Sequence, residues 1–438
     1  MTITYDPKHP KYVDEADVRN EMTRVFDVCH GCRLCFGLCT SFPTMFEMID
    51  RHHDQDAGRL TPAQQDKVVD ECFQCKLCYL NCPYTPELHE LAIDFPRLML
   101  RADAMRHASG QFSIRSRLTD TVLGHADLLG KAATTTANVT NKMIGAKQGS
   151  VVRKAMEVVT GVSSVRLLPP YARQRFTTWF KRRPRVRIAK RQGRVAVFPT
   201  CLVEYQQPSI GHDLVKVYER NGIECSLAED AGCCGAPWLH SGDVEQFTKV
   251  ATKNVKALAK SIRRGNDIVV PQPTCGYVLK KDYLDYVGGA DAQLVADNTY
   301  DVAEYLMKVH KADGTTLNTD FPGHVPATVT YHTPCHLRAQ NIGLKSRDLI
   351  KLTGAKVILV QQCSGMDGMW GLRAENAEVS VPIAKNLAEQ IRRANGEVIA
   401  GDCHLANTAI TEQTGEEPMH PIQLMARAYG ISEEVPQR

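Results

Sequence analysis

Two cysteine runs with the same spacing constrain this chain most strongly. The first run is Cys29, Cys32, Cys35 and Cys39, and the second is Cys72, Cys75, Cys78 and Cys82. Both follow the pattern C-x2-C-x2-C-x3-C. A loop this tight places three thiolates on three iron atoms of one [4Fe-4S] cube, and the fourth cysteine reaches the neighbouring cube. The sequence therefore predicts two [4Fe-4S] clusters.

The fourth cysteine of each run is expected to bind the cluster of the other run, which predicts which thiols share a cluster. One cluster takes Cys29, Cys32, Cys35 and Cys82, and the other takes Cys72, Cys75, Cys78 and Cys39. Zinc is the alternative for closely spaced cysteines. Zinc sites, however, use pairs of C-x2-4-C, whereas each run here packs four cysteines into eleven residues. The pattern favours iron-sulfur clusters over zinc.

The remaining cysteines indicate further metal chemistry in a reducing compartment. The chain has sixteen cysteines, and its first residues lack the basic region and apolar core of a secretory signal. Structural disulfides are rare in reducing compartments, where clustered thiols usually bind metal or do chemistry. No run approaches the roughly 20 apolar residues that cross a bilayer. We therefore expect a cytoplasmic protein without a membrane span.

Charge and pattern divide the first half of the chain. The pattern predicts that residues 1–110 form a helical domain around the two cysteine runs. Residues 111–194 read as a basic helical connector, with 18 Lys and Arg against three acidic residues, which leaves −11 for the rest of the chain. Such a segment is suited to an anionic membrane surface or an acidic partner, and a solvated linker is the alternative. No recognised nucleic-acid-binding module accompanies this segment, so nucleic-acid binding is not expected.

After residue 194 short β-branched runs alternate with helical patterns, which is typical of parallel sheets. The pattern occurs twice, in a first repeat at 195–320 and a second at 321–438. Cysteines follow the carboxyl ends of strands in both copies, where open α/β sheets place ligands. They are Cys201, Cys233, Cys234 and Cys275 in the first repeat, and Cys335, Cys363 and Cys403 in the second. The fold class is α+β and multidomain, a ferredoxin-like helical two-cluster domain followed by a duplicated α/β cysteine-rich domain.

The two repeats differ in chemistry. In the first repeat four thiols converge, and Gly235 lets the backbone pass close to a bound group, so a further iron-sulfur cluster is expected there. Cys225 reads as a core residue. In the second repeat Ser364 stands where Cys234 stands in the first. Three histidines near these cysteines are either ligands or satisfied core residues, namely His332, His336 and His404. Whether the second repeat binds metal stays open.

These motifs resemble the iron-sulfur subunits of the heterodisulfide reductase and glycolate oxidase group. The likeness covers the cysteine runs, the repeated C…CCG…CxxC motif (the CCG domain), Gly124–Gly130 and Tyr331–His336. It is greatest for the C subunits of anaerobic glycerol-3-phosphate dehydrogenases. Val278 and Ala406 replace the final cysteine of the two motifs. The five-cysteine noncubane cluster of heterodisulfide reductase is therefore not expected in either repeat.

The resemblance implies an electron-transfer subunit that passes electrons from a flavoprotein dehydrogenase toward a membrane quinone. A rubrerythrin-like peroxide reductase is another partner to consider. The chain would then lie on the cytoplasmic face of the membrane, with its substrate chemistry on the partner and no catalytic residue of its own assigned. Two alternatives stay open. One is a self-contained thiol or disulfide reductase that uses a cluster in the first repeat, and the other is a metal-stabilised scaffold without redox function.

Overall fold

A computed structural model describes residues 4–366 and 369–431. The outer ends of the first and last predicted domains, residues 1–3 and 432–438, lie outside the described residues. The chain forms two compact units. The first comprises the residues up to Asp120 together with Gly235–Lys249, and the second comprises Thr121–Cys234 and the residues from Val250 onward. The short segment Gly235–Lys249 thus belongs to the helical unit, although the sequence pattern assigns it to the first α/β repeat.

The first unit is helical and is built around the two cysteine runs. Its helices before residue 110 are α1 (Glu15–Cys32), α2 (Ser41–Asp50), α3 (Pro62–Asp70), α4 (Leu77–Asn81) and α5 (Phe95–Ala108). The Asp14 carboxylate caps α1 by accepting from the backbone N–H of Asp17. Helical spacing in the sequence predicts one apolar face for this helix, and the side chains on that face are fully buried, namely Val18, Met22, Val25 and Phe26. The amphipathic pattern there is confirmed.

Helix α5 begins later than the sequence predicts. Helical spacing suggests a helix over residues 87–107 with a kink or restart at Pro96. In the structure α5 starts at Phe95, capped by Asp94, and Pro96 occupies its first turn. Proline is tolerated there because the first-turn N–H groups have no partner within the helix. Residues 87–94 form turns and loop, so the first part of the predicted helix is wrong.

The connector is helical, as predicted, with α6 (Ile114–Gly124), α7 (Ala126–Thr135), α8 (Ala137–Ile144), α9 (Val151–Thr160) and α10 (Phe176–Arg182). Its part after Thr121 contacts the α/β repeats. Buried Arg166 pairs with Glu412 of the second repeat, with 3.3 Å between Nε and Oε2. The alternative interpretation of this part of the connector as a freely solvated linker is therefore wrong.

The first repeat contains a four-stranded parallel sheet in the order β2-β1-β3-β4. Its elements are β1 (Gly193–Val197), α11 (Cys201–Tyr205), α12 (Pro208–Arg220), β2 (Ile223–Leu227), α13 (Ala236–His240), α14 (Val244–Arg263), β3 (Asp267–Val270), α15 (Pro273–Tyr277), α16 (Tyr283–Tyr286), α17 (Gly289–Asp297), β4 (Thr299–Asp301) and α18 (Val302–Lys311). Residues Val278–Asp282 form a π-helix after α15. Buried aliphatic residues of β1 and β3 form the centre of the sheet.

The second repeat contains a three-stranded parallel sheet in the order β6-β5-β7. Its elements are β5 (Thr328–His332), α19 (Cys335–Ala339), α20 (Lys345–Leu352), β6 (Lys356–Val360), α21 (Ala377–Ala394), β7 (Val398–Gly401), α22 (His404–Thr414) and α23 (Pro421–Ala428). Where β4 lies in the first repeat, the second has a single parallel bridge between Ala400 and Met419. The predicted duplication is thus present, with a reduced second copy. None of the described helices is long and apolar enough to span a bilayer.

Candidate metal centres

Four cysteines from both runs line one cavity of the first unit. Cys29 and Cys32 lie in the last turn of α1, Cys35 follows in a turn, and Cys82 ends α4. The cavity that they line, here called the first cavity, has a volume of about 330 Å³ including its open part. Its other walls are largely apolar, with Phe42, Phe46 and Ile93 among them.

The other four cysteines line a second cavity, whose volume is about 290 Å³ including its open part. They are Cys39, Cys72, Cys75 and Cys78. Phe42 lines both cavities, so the two sets of thiols are neighbours. The cavities therefore divide the eight cysteines in the same way as the crossed assignment from the sequence. That these thiols bind iron stays a prediction.

Each cavity contains a thiol whose pKa is raised by burial and by its neighbouring thiols. Burial and the neighbouring Cys82 and Cys32 thiols raise the pKa of Cys35 to about 12. Burial, followed by the thiols of Cys75 and Cys72, raises the pKa of Cys78 well above its usual value. Several buried thiolates repel one another unless positive charge lies between them. Iron supplies such charge, and its binding releases the thiol protons.

The first α/β repeat brings its four predicted cysteines together. The thiol of Cys234 lies within hydrogen-bonding reach of the thiols of Cys233 and Cys275. The thiol of Cys201 lies within the same reach of Cys233. Hydrogen bonding to the Cys233 thiol, followed by burial, raises the pKa of Cys201 well above its usual value. Cys225 lies apart from this group, in the core beside β1 and α12.

The backbone of the turn that carries Cys233 and Cys234 is fixed by three side chains. Asp127 of α7 accepts from the N–H of Cys233 at 2.7 Å. Asn254 of α14 accepts from the N–H of Gly232 at 3.0 Å and donates to the carbonyl of Cys233 at 2.8 Å. Tyr283 donates to the carbonyl of Cys234 at 3.0 Å. The thiols therefore project from a turn that side chains of three other segments hold in position.

None of these three supporting residues was predicted from the sequence. Asp127 lies 106 residues before Cys233, and no local pattern joins the two. The one available signal was the stretch Gly124–Gly130, which carried the family resemblance but no assigned role. Its last residue, Gly130, packs under Tyr205 of α11, and a Cβ there would lie 2.3 Å from the ring. This stretch fits α7 closely against α11, the helix that begins at Cys201.

The three cysteines of the second repeat also follow the ends of strands. Cys335 is the first residue of α19, and Cys363 lies in the loop after β6, where its sulfur accepts from the N–H of Gly365 at 3.3 Å. Cys403 follows β7 and accepts from Gln272 of the first repeat, with 3.3 Å between Nε2 and Sγ. Ser364 follows Cys363 directly, at the place that Cys234 occupies after Cys233 in the first repeat.

The three histidines considered as ligands are all buried. His336 contacts the Thr274 hydroxyl through Nδ1 at 3.1 Å, and Nε2 of His332 contacts the Gln362 carbonyl at 3.0 Å. Both ring nitrogens of His404 are buried without a hydrogen-bond partner among the described residues. His404 is therefore the strongest of the three as a candidate ligand.

Across residues 4–366 and 369–431, no three His, Cys, Asp or Glu side chains are grouped so as to hold one metal ion. A cube differs from a single ion because each of its thiolates binds a different iron atom. The relevant test for a cluster is a cavity lined by four thiols. The cavities of the first unit have this form.

Comparison with known proteins gives two findings. A family described as a cysteine-rich domain, CCG, matches residues 195–280 and 329–410. The C subunit of the anaerobic glycerol-3-phosphate dehydrogenase of Escherichia coli K12 is 28% identical over 331 residues, which cover 74% of this chain and 81% of that protein.

Other relatives match a smaller part of the chain. The B subunit of the fumarate reductase (CoM/CoB) of Methanothermobacter marburgensis is 28% identical over 53% of this chain and 44% of its own length. Lactate utilization protein A of Bacillus pumilus is 26% identical over 48% of this chain and 87% of its own length. An iron-sulfur protein of Methanococcus maripaludis is 28% identical over 48% of this chain and 39% of its own length.

These matches fall on the elements that carry the cysteines. The two CCG matches contain all seven cysteines predicted as ligands in the repeats, together with most or all of every strand of the two sheets except β4. They support iron-sulfur clusters as cofactors and electron transfer as the role of the chain. The chain therefore carries two cysteine-rich CCG domains, and the resemblance to iron-sulfur oxidoreductase subunits that its sequence predicted is confirmed.

Proposed function

We propose that this chain relays electrons within an oxidoreductase complex. In this proposal its ferredoxin-like helical unit binds two [4Fe-4S] clusters, and the first α/β repeat binds one further iron-sulfur cluster. The observation that carries the proposal is the pair of cavities in the first unit, each lined by four cysteines drawn from both runs. Bound clusters would supply carriers that accept and donate one electron at a time.

The residues of the first unit suit this task. The walls of the first cavity are largely apolar, and the polarity and burial around a cluster are among the properties that set its reduction potential. Backbone N–H groups support the sulfur atoms, as at Cys82, whose sulfur accepts from Tyr84 N–H at 3.4 Å. Phe42 lines both cavities, so the two cluster sites would be neighbours.

The substrate chemistry of the complex would lie on a partner. The names of the relatives include a dehydrogenase, a fumarate reductase and a lactate utilization protein, which fits a chain that receives electrons from a flavoprotein and passes them to a quinone. A rubrerythrin-like peroxide reductase is a different acceptor with the same requirement for a one-electron relay. We favour a relay over a self-contained disulfide reductase because Cys233, Cys234 and Cys275 are buried, which hinders attack on a bulky substrate.

A stopped-flow experiment on the isolated, anaerobically reconstituted chain separates relay from reductase. We expect a soluble quinone analogue to reoxidise the dye-reduced protein in a single turnover. Reoxidation should reverse the change in cluster absorbance that the dye caused. We expect no steady turnover of a disulfide substrate with the same dye. Sustained disulfide reduction by the isolated chain would overturn the relay proposal in favour of the reductase.

We further propose that the connector docks on the anionic cytoplasmic face of a membrane. Helix α9 exposes Val151, Val152, Val158 and Val159, whose spacing places them on one side of the helix. Exposed basic residues flank this surface, including Lys147 and Lys154. An apolar strip bordered by cations is the pattern of helices that lie in the membrane interface.

The connector ends in a basic run at residues 181–187, which supplies the charge for this docking with one exception. Lys181, Arg182, Arg185 and Arg187 are the cations of the run that are available at the surface. Arg183 instead pairs with Glu219 at 2.7 Å, so it is engaged within the protein. A test of docking should therefore leave Arg183 in place.

Changing the four available residues to glutamine should weaken binding to vesicles that contain anionic lipid by at least about tenfold at low salt, since each surface cation contributes about 1 kcal/mol. The attraction of the wild type should also fall as salt rises, because charge is screened over about 8 Å at physiological ionic strength. The matched control replaces four cations of α14 and its end, namely Lys253, Lys256, Lys260 and Arg264. Equal binding by both variants in a vesicle co-sedimentation assay would contradict the docking proposal.

A further inference from the structure

We propose that Lys76 and Gln74 give the second cavity the more positive reduction potential of the two cluster sites in the first unit. This inference rests on the proposed function, because it requires a cluster in each cavity. It assigns an order of reduction potential to two sites that have the same kind of ligands and the same loop spacing. Lys76 supplies a positive charge and Gln74 a hydrogen bond to a ligand sulfur. Neither residue reacts itself.

The two cysteine runs provide an internal comparison at two positions. The third residue of the run is Gly31 in the first and Gln74 in the second, and the fifth residue is Arg33 in the first and Lys76 in the second. Arg33 and Lys76 both adopt the left-handed backbone conformation, with φ of 53° and 64°. The loops therefore have similar backbones at this point, and their differences lie in the side chains.

In the second run both side chains are buried against the cavity. Lys76 is 4% exposed and Gln74 is 4% exposed, and both line the second cavity together with its four cysteines. The ammonium of Lys76 donates to Oε1 of Gln74 at 2.6 Å. Nε2 of Gln74 in turn donates to the sulfur of Cys72 at 3.6 Å. A positive charge is thus joined to a predicted ligand through one amide group.

In the first run the corresponding side chain does not line the cavity, and its guanidinium lies over the ring of Phe46 at 5.3 Å from the ring centroid. The Arg33 side chain is 43% exposed and pairs with Asp50, a surface carboxylate. Its guanidinium also contacts His30. Gly31 has no side chain to bond a sulfur, and a Cβ there would meet no atom within 4 Å. Neither Arg33 nor Gly31 lines the first cavity.

Other charged groups around the first cavity act in opposite directions. Arg24 favours the thiolate of Cys29, whereas Asp94 disfavours the thiolate of Cys82. Their effects on an anionic group in this cavity therefore oppose each other. The second cavity has the buried Lys76 in its wall, where a charge acts through a low dielectric and is screened little by salt.

The consequence follows from charge balance. Gaining one electron makes a site more negative by one charge, and a nearby cation together with a hydrogen bond to sulfur stabilises that state. An electron shared between the cavities would therefore move from the first to the second, so that the first is oxidised by one electron and the second is reduced by one. No proton or further reactant is needed for this transfer.

The test is an electron paramagnetic resonance redox titration of the full-length protein and its variants. In Lys76→Met the higher of the two midpoint potentials should fall, and the equilibrium constant for transfer between the sites should decrease at least tenfold, which is about 59 mV for one electron. Lys76→Arg, which keeps the charge, should retain most of the wild-type difference. Arg33→Met, at the equivalent position of the first run, and Lys67→Met, on the exposed side of α3, should shift neither potential appreciably.

Two kinds of negative result are distinguishable. A wild-type protein that lacks two cubane clusters by iron and sulfide content would contradict the proposed function and this inference together. Two clusters present in wild type and Lys76→Met, with the same two potentials in both, would overturn the inference and leave the proposed function intact. An equal shift in Arg33→Met would also overturn it, because the asymmetry between the two runs would then have no effect.

Discussion

Replacing Cys82 by serine is expected to remove the cluster of the first cavity and to leave that of the second. Cys39→Ser should have the converse effect. Cys82 belongs to the second run, yet it lines the cavity of Cys29, Cys32 and Cys35, and Cys39 lines the cavity of the second run. A cube that loses one of four thiolate ligands is destabilised, because serine is a poor ligand for iron beside soft sulfur donors.

The loss in each variant should be about four iron atoms per chain, with one of the two cubane resonance signals absent or strongly altered. The Lys76 variants identify which signal belongs to the second cavity, so the two measurements check each other. Cys225→Ser is the control, since Cys225 lies in the core of the first repeat away from the candidate centres. If each serine variant lost the cluster of its own run, the crossed assignment would be wrong.

The second large effect is expected in the α/β repeats, which should differ in how firmly they hold iron. Cys234 lies within reach of Cys233 and Cys275, in a turn held by Asp127, Asn254 and Tyr283. The second repeat has Ser364 at the equivalent position and three cysteines. A centre there needs a fourth ligand, such as His404 or water, and such an open position makes iron easier to lose.

We therefore expect Cys234→Ser to lose most of the iron of the first repeat during brief exposure to air, whereas the wild type retains it. Ser364→Cys should increase the iron retained by the second repeat. The measurement is iron per chain before and after exposure, with Cys225→Ser as the control for general instability. Equal retention by wild type and both variants would contradict the proposed inequality of the repeats.

The sequence predicts well what depends on local spacing. Four cysteines within eleven residues leave few arrangements for the thiols, and the same loop occurring twice indicates exchange of the fourth cysteine. The alternation of β-branched runs and helical spacing likewise predicts parallel strands joined by helices. A short continuous apolar run is typical of a buried strand, and apolar residues at helical spacing are typical of a helix with one buried face. The structure has such strands at each predicted place in both repeats.

Features that depend on distant contacts escape this reasoning. Arg33 and Lys76 occupy the same position in identical patterns, yet Arg33 pairs with Asp50 at the surface whereas Lys76 is buried in the lining of the second cavity. Tertiary packing decides between these orientations. Asp127 supports Cys233 from a distant helix, and the segment Gly235–Lys249 belongs to the helical unit although its sequence continues a βα pattern.

Iron and acid-labile sulfide analysis of the anaerobically purified protein, combined with electron paramagnetic resonance, tests the central claim most directly. The account predicts a brown protein in which two [4Fe-4S] clusters contribute about eight iron atoms per chain, with additional iron from the first α/β repeat. After reduction, two cubane signals should appear, with magnetic interaction between them because their cavities share Phe42. A colourless protein that contains zinc in place of iron and sulfide would contradict the account.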